Sequence, residues 1–269
     1  MQALLNIAVR AARRAGEVIV RSLNRLESLA VSSKGRNDFV TEVDHAAETA
    51  IIDTLLSAYP GHGILAEETG SARGARDSEY VWIIDPLDGT TNFLHGFPVF
   101  AVSIACQVRG RLEHAVVYDP MRGELFTASR GAGAHLDNHR MRVSKARALE
   151  GALIATGFPY RANTRYLDDY LGMLKAVTQQ AAGVRRPGSA ALDLAYVAAG
   201  RVDGFWEIGL AAWDTAAGTL LIQEAGGHIG TLTGAEYRQG GHVVAGTPKV
   251  YADLIELLAP HVPAELRES

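Results

Sequence analysis

From residue 152 onward, apolar runs of strand length alternate with amphipathic runs of helix length, and that alternation limits the folds open to this chain more than any other feature. The spacing predicts strands over 152–155, 202–206 and 242–245, and helices over 167–179, 190–199, 215–225 and 249–258. Gly200 and Gly226-Gly227 stand where two of those helices must stop, because a residue free to take a positive φ ends a helix without strain. Segments in this order pack as a helix-covered sheet, parallel or mixed.

The first half follows a different pattern. Leu4, Leu5, Ala8, Ala12, Ala15, Ile19, Leu23 and Leu26 recur at three- and four-residue steps, which predicts an amphipathic helix over 4–26 with arginines opposite. A second helix is expected over 44–58, with Ala47, Ile51, Leu55 and Ala58 in one stripe and Pro60-Gly61 beyond its end. Strands follow at 63–66, 80–84, 100–105, 113–118 and 124–128; the turn Asp119-Pro120-Met121-Arg122-Gly123 makes the last two part of an antiparallel meander. The polar stretch 144–150 is the expected boundary between two lobes, 1–145 and 146–269. The fold class expected from these patterns is α/β (α+β).

Composition narrows the function. Twenty-six Lys and Arg against thirty Asp and Glu give a net charge of −4, so no overall positive field is available to hold nucleic acid. With 48% hydrophobic residues the chain can fill a core, and no apolar run reaches membrane-spanning length. The lone Cys106 lies in an apolar run and excludes an intrachain disulfide, which fits a reducing, cytoplasmic setting. Arg10, Arg13 and Arg14 interrupt the N-terminal apolar residues, so no secretory h-region forms.

The chemistry concentrates in Trp82-Ile83-Ile84-Asp85-Pro86-Leu87-Asp88-Gly89-Thr90-Thr91-Asn92-Phe93. An apolar strand delivers Asp85; Pro86 turns the chain so that Asp88 can point back toward it. Two carboxylates with the Leu87 carbonyl between them are hard oxygen donors, suited to Mg²⁺ rather than zinc. Gly89-Thr90-Thr91 can offer successive backbone N–H groups to an anion. The same string also reads as a Pro-containing turn with an Asp cap. Elsewhere, Thr41-x-x-Asp44 matches a capping box, Asp214 suits an N-cap, and Glu67-Glu68 reads as a solvated pair. Each of these acidic residues nevertheless stands at a helix start or a strand end, where a metal-bound phosphate would need it. The nine histidines show no H-E-x-x-H spacing, and no G-x-S-x-G, P-loop or G-x-G-x-x-G string occurs.

The string Asp85 to Phe93, with Trp213-Asp214-x-Ala216-Ala217-Gly218 and Glu224-Ala225-Gly226-Gly227 downstream, resembles the inositol monophosphatase family of lithium-sensitive, Mg²⁺-dependent phosphatases. Lys34-Gly35-x-x-Asp38-Phe39-Val40-Thr41-x-x-Asp44 and Ile64-x-x-Glu67-Glu68 fall in that family's order, so the resemblance spans nearly the whole chain. The segment from Arg186 to Gly200 is most similar to its bacterial, SuhB-type branch. The resemblance implies a two-lobed αβαβα sandwich, a homodimer and two or three Mg²⁺ ions. It implies that Glu67, Asp85 and the Leu87 carbonyl hold a first ion, and that Asp85, Asp88 and Asp214 hold a second. Catalysis would rest on Asp44 and Thr90, orienting a metal-activated water, together with Glu67. The phosphate would meet the Gly89 and Thr90 amides, and the polyol would meet Asp88, Gly188, Ser189, Ala190 and Glu207. Lys34 and Asp38 match the motif but carry no assigned role.

Hydrolysis of myo-inositol 1-phosphate or a related sugar or polyol monophosphate is the activity implied, with fructose-1,6-bisphosphate and nucleotide phosphoesters as rivals. Members of the bacterial branch are associated with transcription complexes on ribosomal RNA operons, and this implies another role, the binding of RNA polymerase or a transcription factor.

Overall fold

In a computed structural model of the chain, residues 2–28, 31–35, 38–71 and 73–267 are described. The N-terminal helix α1 (Gln2–Ser22) buries Ile7, Ala8, Ala11, Ala12, Ala15 and Ile19. It ends four residues short of the predicted 26, where a 3₁₀ segment (Leu23–Ser28) takes over. A two-stranded ribbon, β1 (Val31–Gly35) with β2 (Asp38–Thr41), leads into α2 (Glu42–Ala58). Lys34 and Asp38 lie in this ribbon, and their side chains are outside the described part.

The first large sheet is built from β3 (Gly63–Ala66), β4 (Tyr80–Asp88), β5 (Ala101–Val108), β6 (Arg111–Asp119), β7 (Glu124–Ser129), β8 (Gly133–Leu136) and β9 (His139–Arg140), paired in that order. Between β4 and β5 runs the one-turn helix α3 (Thr90–Leu94). Only β3 and β4 are parallel; the rest is the expected meander, lengthened by the short β8 and β9.

The second sheet comes from β10 (Leu153–Thr156), β11 (Gly183–Arg185), β12 (Gly204–Leu210), β13 (His228–Gly230) and β14 (Gly241–Gly246), in the order β11-β10-β12-β14-β13. It is mixed: β11, β10 and β12 are parallel, while β14 is antiparallel to both of its neighbours. Between the strands lie α4 (Leu167–Gln180), α5 (Ala190–Ala198) and α6 (Ala212–Ala225), and α7 (Pro248–Leu258) follows the last strand. The three-residue strands β11 and β13 are too short to show a period, which is why the sequence pattern passed over them.

Five layers result. Helices α1 and α2 pack on one face of the first sheet through Ile19, Ile51, Trp82, Ile84 and Ile104. Helices α5 and α6 form the middle layer, sharing one apolar cluster with Ile83, Ala105 and Phe126 of the first sheet and Phe205 and Val243 of the second. On the outer face of the second sheet, Tyr170, Met173 and Leu254 of α4 and α7 meet Ile154, Trp206 and Val244. Successive residues of β4 thus face different buried layers, and its run reads as continuously apolar. Small residues let the middle helices approach closely: a Cβ on Gly218 of α6 would meet Leu194 of α5 at 2.5 Å. Glu224 ties that layer to the first sheet, its carboxylate accepting from the Gly131 and Gly133 amides at 2.8 Å each.

Candidate functional site

A β-bulge assembles the carboxylates. Asp85 pairs with Ser103 but Asp88 pairs with Ala101, so β4 spends one residue more than β5 over this step. In a regular strand two residues three apart point to opposite faces; the extra residue corrects the parity and brings Asp85 and Asp88 to one side. Pro86 can occupy the bulge because its missing N–H is not needed there. Asp85 Oδ1 accepts the Leu87 amide at 2.9 Å, which fixes the turn. Gly89 closes it at φ +96, where a Cβ would lie 3.0 Å from the Val99 carbonyl and 3.2 Å from that of Gly188.

Asp214 joins them from α6. One oxygen from each of Asp85, Asp88 and Asp214 lies within 4.8 Å of the others. Asp214 is not the N-cap that its place after Trp213 suggested: α6 starts at Ala212, and Asp214 is its third residue, reaching back to accept the Ala211 amide at 2.6 Å. Ser103 Oγ of β5 donates to the Trp213 carbonyl at 3.2 Å, docking the start of α6 against the carboxylate strand. Glu67, one residue past β3, is placed by its amide on the Ile84 carbonyl, and its charge acts on Asp85.

Asp44 stands in the same position of α2, and the capping box read from the sequence is present. Its Oδ2 accepts from the Thr41 amide at 2.8 Å and the Thr41 hydroxyl at 2.5 Å. Its other oxygen accepts from Thr90 Oγ1 at 3.0 Å, and Thr90 also lies 3.1 Å from the Leu87 carbonyl. Thr41 is therefore the N-cap, and Asp44 both completes its capping box and accepts from Thr90, so the capping contact leaves an Asp44 oxygen for the site.

The loop before α5 reaches the cluster through Asp88, whose Oδ2 accepts from Ser189 Oγ at 2.6 Å and the Ala191 amide at 2.7 Å, with the Ala190 amide also bonded to this carboxylate. Gly188, at φ +92, precedes them. Asn92 clamps the same loop, its amide donating to Val99, Pro187 and Gly188 carbonyls at 2.7, 2.9 and 3.3 Å. Glu207 enters from β12 ahead of a second bulge, between Glu207 and Leu210. The structure thus gathers Asp44, Asp85, Leu87, Asp88, Gly89, Thr90, Gly188, Ser189, Ala190, Glu207 and Asp214, with Glu67 beside them.

Three further residues were missed. Asn92 stood inside the quoted motif without a role. Glu48 accepts the Glu68 amide at 2.9 Å and so holds the segment that carries Glu67; its place one turn after Asp44, on the same face of α2, was the available signal. Asp193, four residues after Ser189, is 2% exposed, and its Oδ1 has no hydrogen-bond partner.

So many buried carboxyls resist ionisation. Burial, then the charges of Glu67, Asp88 and Asp214, holds Asp85 well above the usual carboxylate range. Burial raises Asp88 to about 6 despite its three donors, and raises Asp44 against the pull of Thr41 and Thr90. Glu207 is pushed up to about 8, chiefly by burial and next by Asp214. The positive ends of α2, α5 and α6 meet here and offset part of the repulsion. An all-oxygen donor set, crowded at such a cost, fits a hard divalent cation and lacks the nitrogen or sulfur that zinc prefers.

Known proteins match this architecture along its length. A family model described as the inositol monophosphatase family matches residues 1–263. "Nus factor SuhB" of Pseudomonas aeruginosa is 56% identical over 270 residues, covering 99% of this chain and 100% of that protein. The crystal structure of extragenic suppressor protein suhB from Bartonella henselae superposes with a TM-score of 0.90 at 44% identity, over 97% of this chain and 100% of that one. An inositol monophosphatase from an Anabaena (Nostoc) species gives 0.86 at 37% identity, with 98% of each chain covered. With the match running through both sheets and through every segment that supplies a carboxylate, the chain belongs to the inositol monophosphatase family.

Proposed function

We propose that this protein hydrolyses a polyol phosphate monoester, myo-inositol 1-phosphate being the first candidate, and that it does so with Mg²⁺. The observation that carries the reading is the Asp85, Asp88 and Asp214 group within 4.8 Å, flanked by the Thr90–Asp44 hydrogen bond. Glu67, Asp85 and the Leu87 carbonyl would hold one cation and Asp85, Asp88 and Asp214 another. Cations bound there supply charge neutralisation for the phosphate dianion and a nucleophile at neutral pH.

The protein's own groups do the rest. Thr90 donates its hydroxyl hydrogen bond to Asp44 and keeps its proton, so its lone pairs are left to accept from the water that attacks phosphorus. The Gly89 and Thr90 amides, at the left-handed turn closing the bulge, face the phosphate oxygens. Ser189 and the Ala190 and Ala191 amides fix Asp88, and Glu207 meets the alcohol's hydroxyls. The test is phosphate release by the purified protein, with and without Mg²⁺, from inositol phosphates, fructose-1,6-bisphosphate, glycerol phosphate and nucleotides. A preference for the inositol esters that vanishes on chelation supports the reading; a stronger preference for fructose-1,6-bisphosphate or nucleotides replaces its substrate.

Cation binding should also show in stability. A carboxyl whose pKa is raised by folding keeps its proton where the unfolded chain has lost it, so it lowers stability as pH rises from about 4 through its folded value. For Asp88 that window ends near 6. A cation replaces those protons, so its stabilising effect must grow with pH. His62, His114 and His242, whose pKa values burial lowers, tilt the metal-free protein the opposite way, but their effect cancels in a comparison with and without cation. At a hundredfold excess over Kd the cation contributes about 2.7 kcal/mol, a shift of several degrees for a chain of this size. Melting curves in EDTA and in Mg²⁺ should therefore diverge more at pH 8 than at pH 5; an equal gap at both would count against a carboxylate-held cation.

A second reading follows from the relatives carrying the name Nus factor. In it the protein's cellular role is to bind a transcription complex, and hydrolysis is dispensable.

A further inference from the structure

Glu207 is only 7% exposed, yet it lies on a strand packed between neighbours where a long carboxylate needs a reserved place. Strand β10 runs parallel to β12 with Thr156 opposite Trp206, which puts Gly157 beside Glu207 on the same face. A Cβ built on Gly157 would overlap the Glu207 carboxyl group, and its three nearest neighbours are Cδ, Oε1 and Oε2 of that one side chain. Gly157 is buried, and its φ lies outside the left-handed region, so the backbone does not require glycine here. A glycine at a position whose dihedral angles suit any residue costs chain entropy and must be retained for another reason.

We propose that Gly157 is a specificity-positioning residue: the space left by its missing side chain seats the Glu207 carboxylate and so sets recognition of the ring hydroxyls of a polyol ester. The inference rests on the reading of Glu207 given above. The surroundings make that seat matter. Asp214 and Asp88 act on Glu207 as like charges, Glu207 acts in the same way on the buried Asp193, and Arg186 is the opposing cation. Arg186 itself is exposed, lying over the Phe158 ring at 5.5 Å, next to Gly157 in the chain. A carboxylate driven off Gly157 therefore moves within a field set by the repulsion of Asp214 and Asp88 and the attraction of Arg186.

The geometry also makes the test clean. The atoms a new methyl would meet are the far end of a flexible side chain, so Gly157→Ala is absorbed by Glu207 turning and not by the backbone shifting. KM and kcat are measured on myo-inositol 1-phosphate and glycerol 1-phosphate for wild type, Gly157→Ala, Glu207→Ala and the double variant. Each single variant should raise KM for the inositol ester about tenfold more than for the glycerol ester, with kcat changing less. In the Glu207→Ala background the added methyl meets no carboxylate, so the double variant should match Glu207→Ala alone. Multiplicative losses, or equal losses on both esters, would overturn the assignment. A crystal structure of Gly157→Ala reads the Glu207 position without substrate, and an unmoved carboxylate would also overturn it. If the wild type releases phosphate from neither ester, it is the polyol phosphatase reading that fails, while the crystal structure still decides the seat.

Discussion

Asp85→Asn is expected to lose more than about a hundredfold in kcat/KM while the metal-free variant melts no lower than wild type. The substitution keeps volume, and the asparagine oxygen can still accept the Leu87 amide that Asp85 Oδ1 accepts now. What changes is that an NH₂ replaces an acceptor in front of Glu67, Asp88 and Asp214. Like-charge repulsion falls, so the empty site relaxes, but the ligand proposed to be shared by both cations is gone. Loss of a direct ligand should exceed the roughly 10- to 100-fold typical of residues that only orient ligands. The melting-temperature gain from Mg²⁺ should shrink in parallel. Wild-type turnover of Asp85→Asn at saturating Mg²⁺ would remove Asp85 from the proposed site.

The same variant separates catalysis from the transcription reading. If a cell lacking this protein is restored by Asp85→Asn, binding is what the cell requires; if not, hydrolysis is. Asp88 would be a poorer choice, although the sequence makes it look equivalent. Its Oδ2 holds Ser189 and the Ala191 amide, so changing it disturbs the loop before α5 as well as the cation.

Why some of this could be read from the sequence, and some not, follows from the reach of each signal. The helices and strands were legible because α1, α4 and α7 have one apolar face and β4 and β5 are apolar on both, while their five-layer stacking came from the family resemblance. The meander was legible from its turn at Asp119 to Gly123. Helix starts were placed two or three residues late at α2 and α6, because the apolar stripe begins after the acidic third residue that reaches back over the cap. The carboxylate cluster came from a motif resemblance; the spacing alone left a capped turn equally open, and only the register of β4 on β5 shows the bulge that joins Asp85 to Asp88. Glu48 and Gly157 act through contacts 20 and 50 residues away in the chain, at Glu68 and Glu207, and no local pattern marks such partners.

Asp44 and Asp214 share one device: each is the third residue of its helix, spends one oxygen on the amide three residues back, and stands in the site. For Asp44 the two duties can be pulled apart. Thr90→Ala removes the hydroxyl that Asp44 Oδ1 holds while leaving the cap on Oδ2 untouched. Thr41→Val removes the cap hydroxyl and leaves Thr90 in place. If Asp44 and Thr90 act as one unit on the attacking water, Thr90→Ala and Asp44→Asn should each cost about 10² to 10⁴ in kcat, and the double variant little more. Thr41→Val should instead cost about 0.5 to 2 kcal/mol of stability, with kcat falling far less. Asp44→Asn should show both phenotypes, since it sits on both networks. Should the kinetic losses of Thr90→Ala and Asp44→Asn multiply, the two residues act separately. Should Asp44→Asn lower only the melting temperature, the Thr90 hydrogen bond is a packing contact and the nucleophile must be oriented by another group.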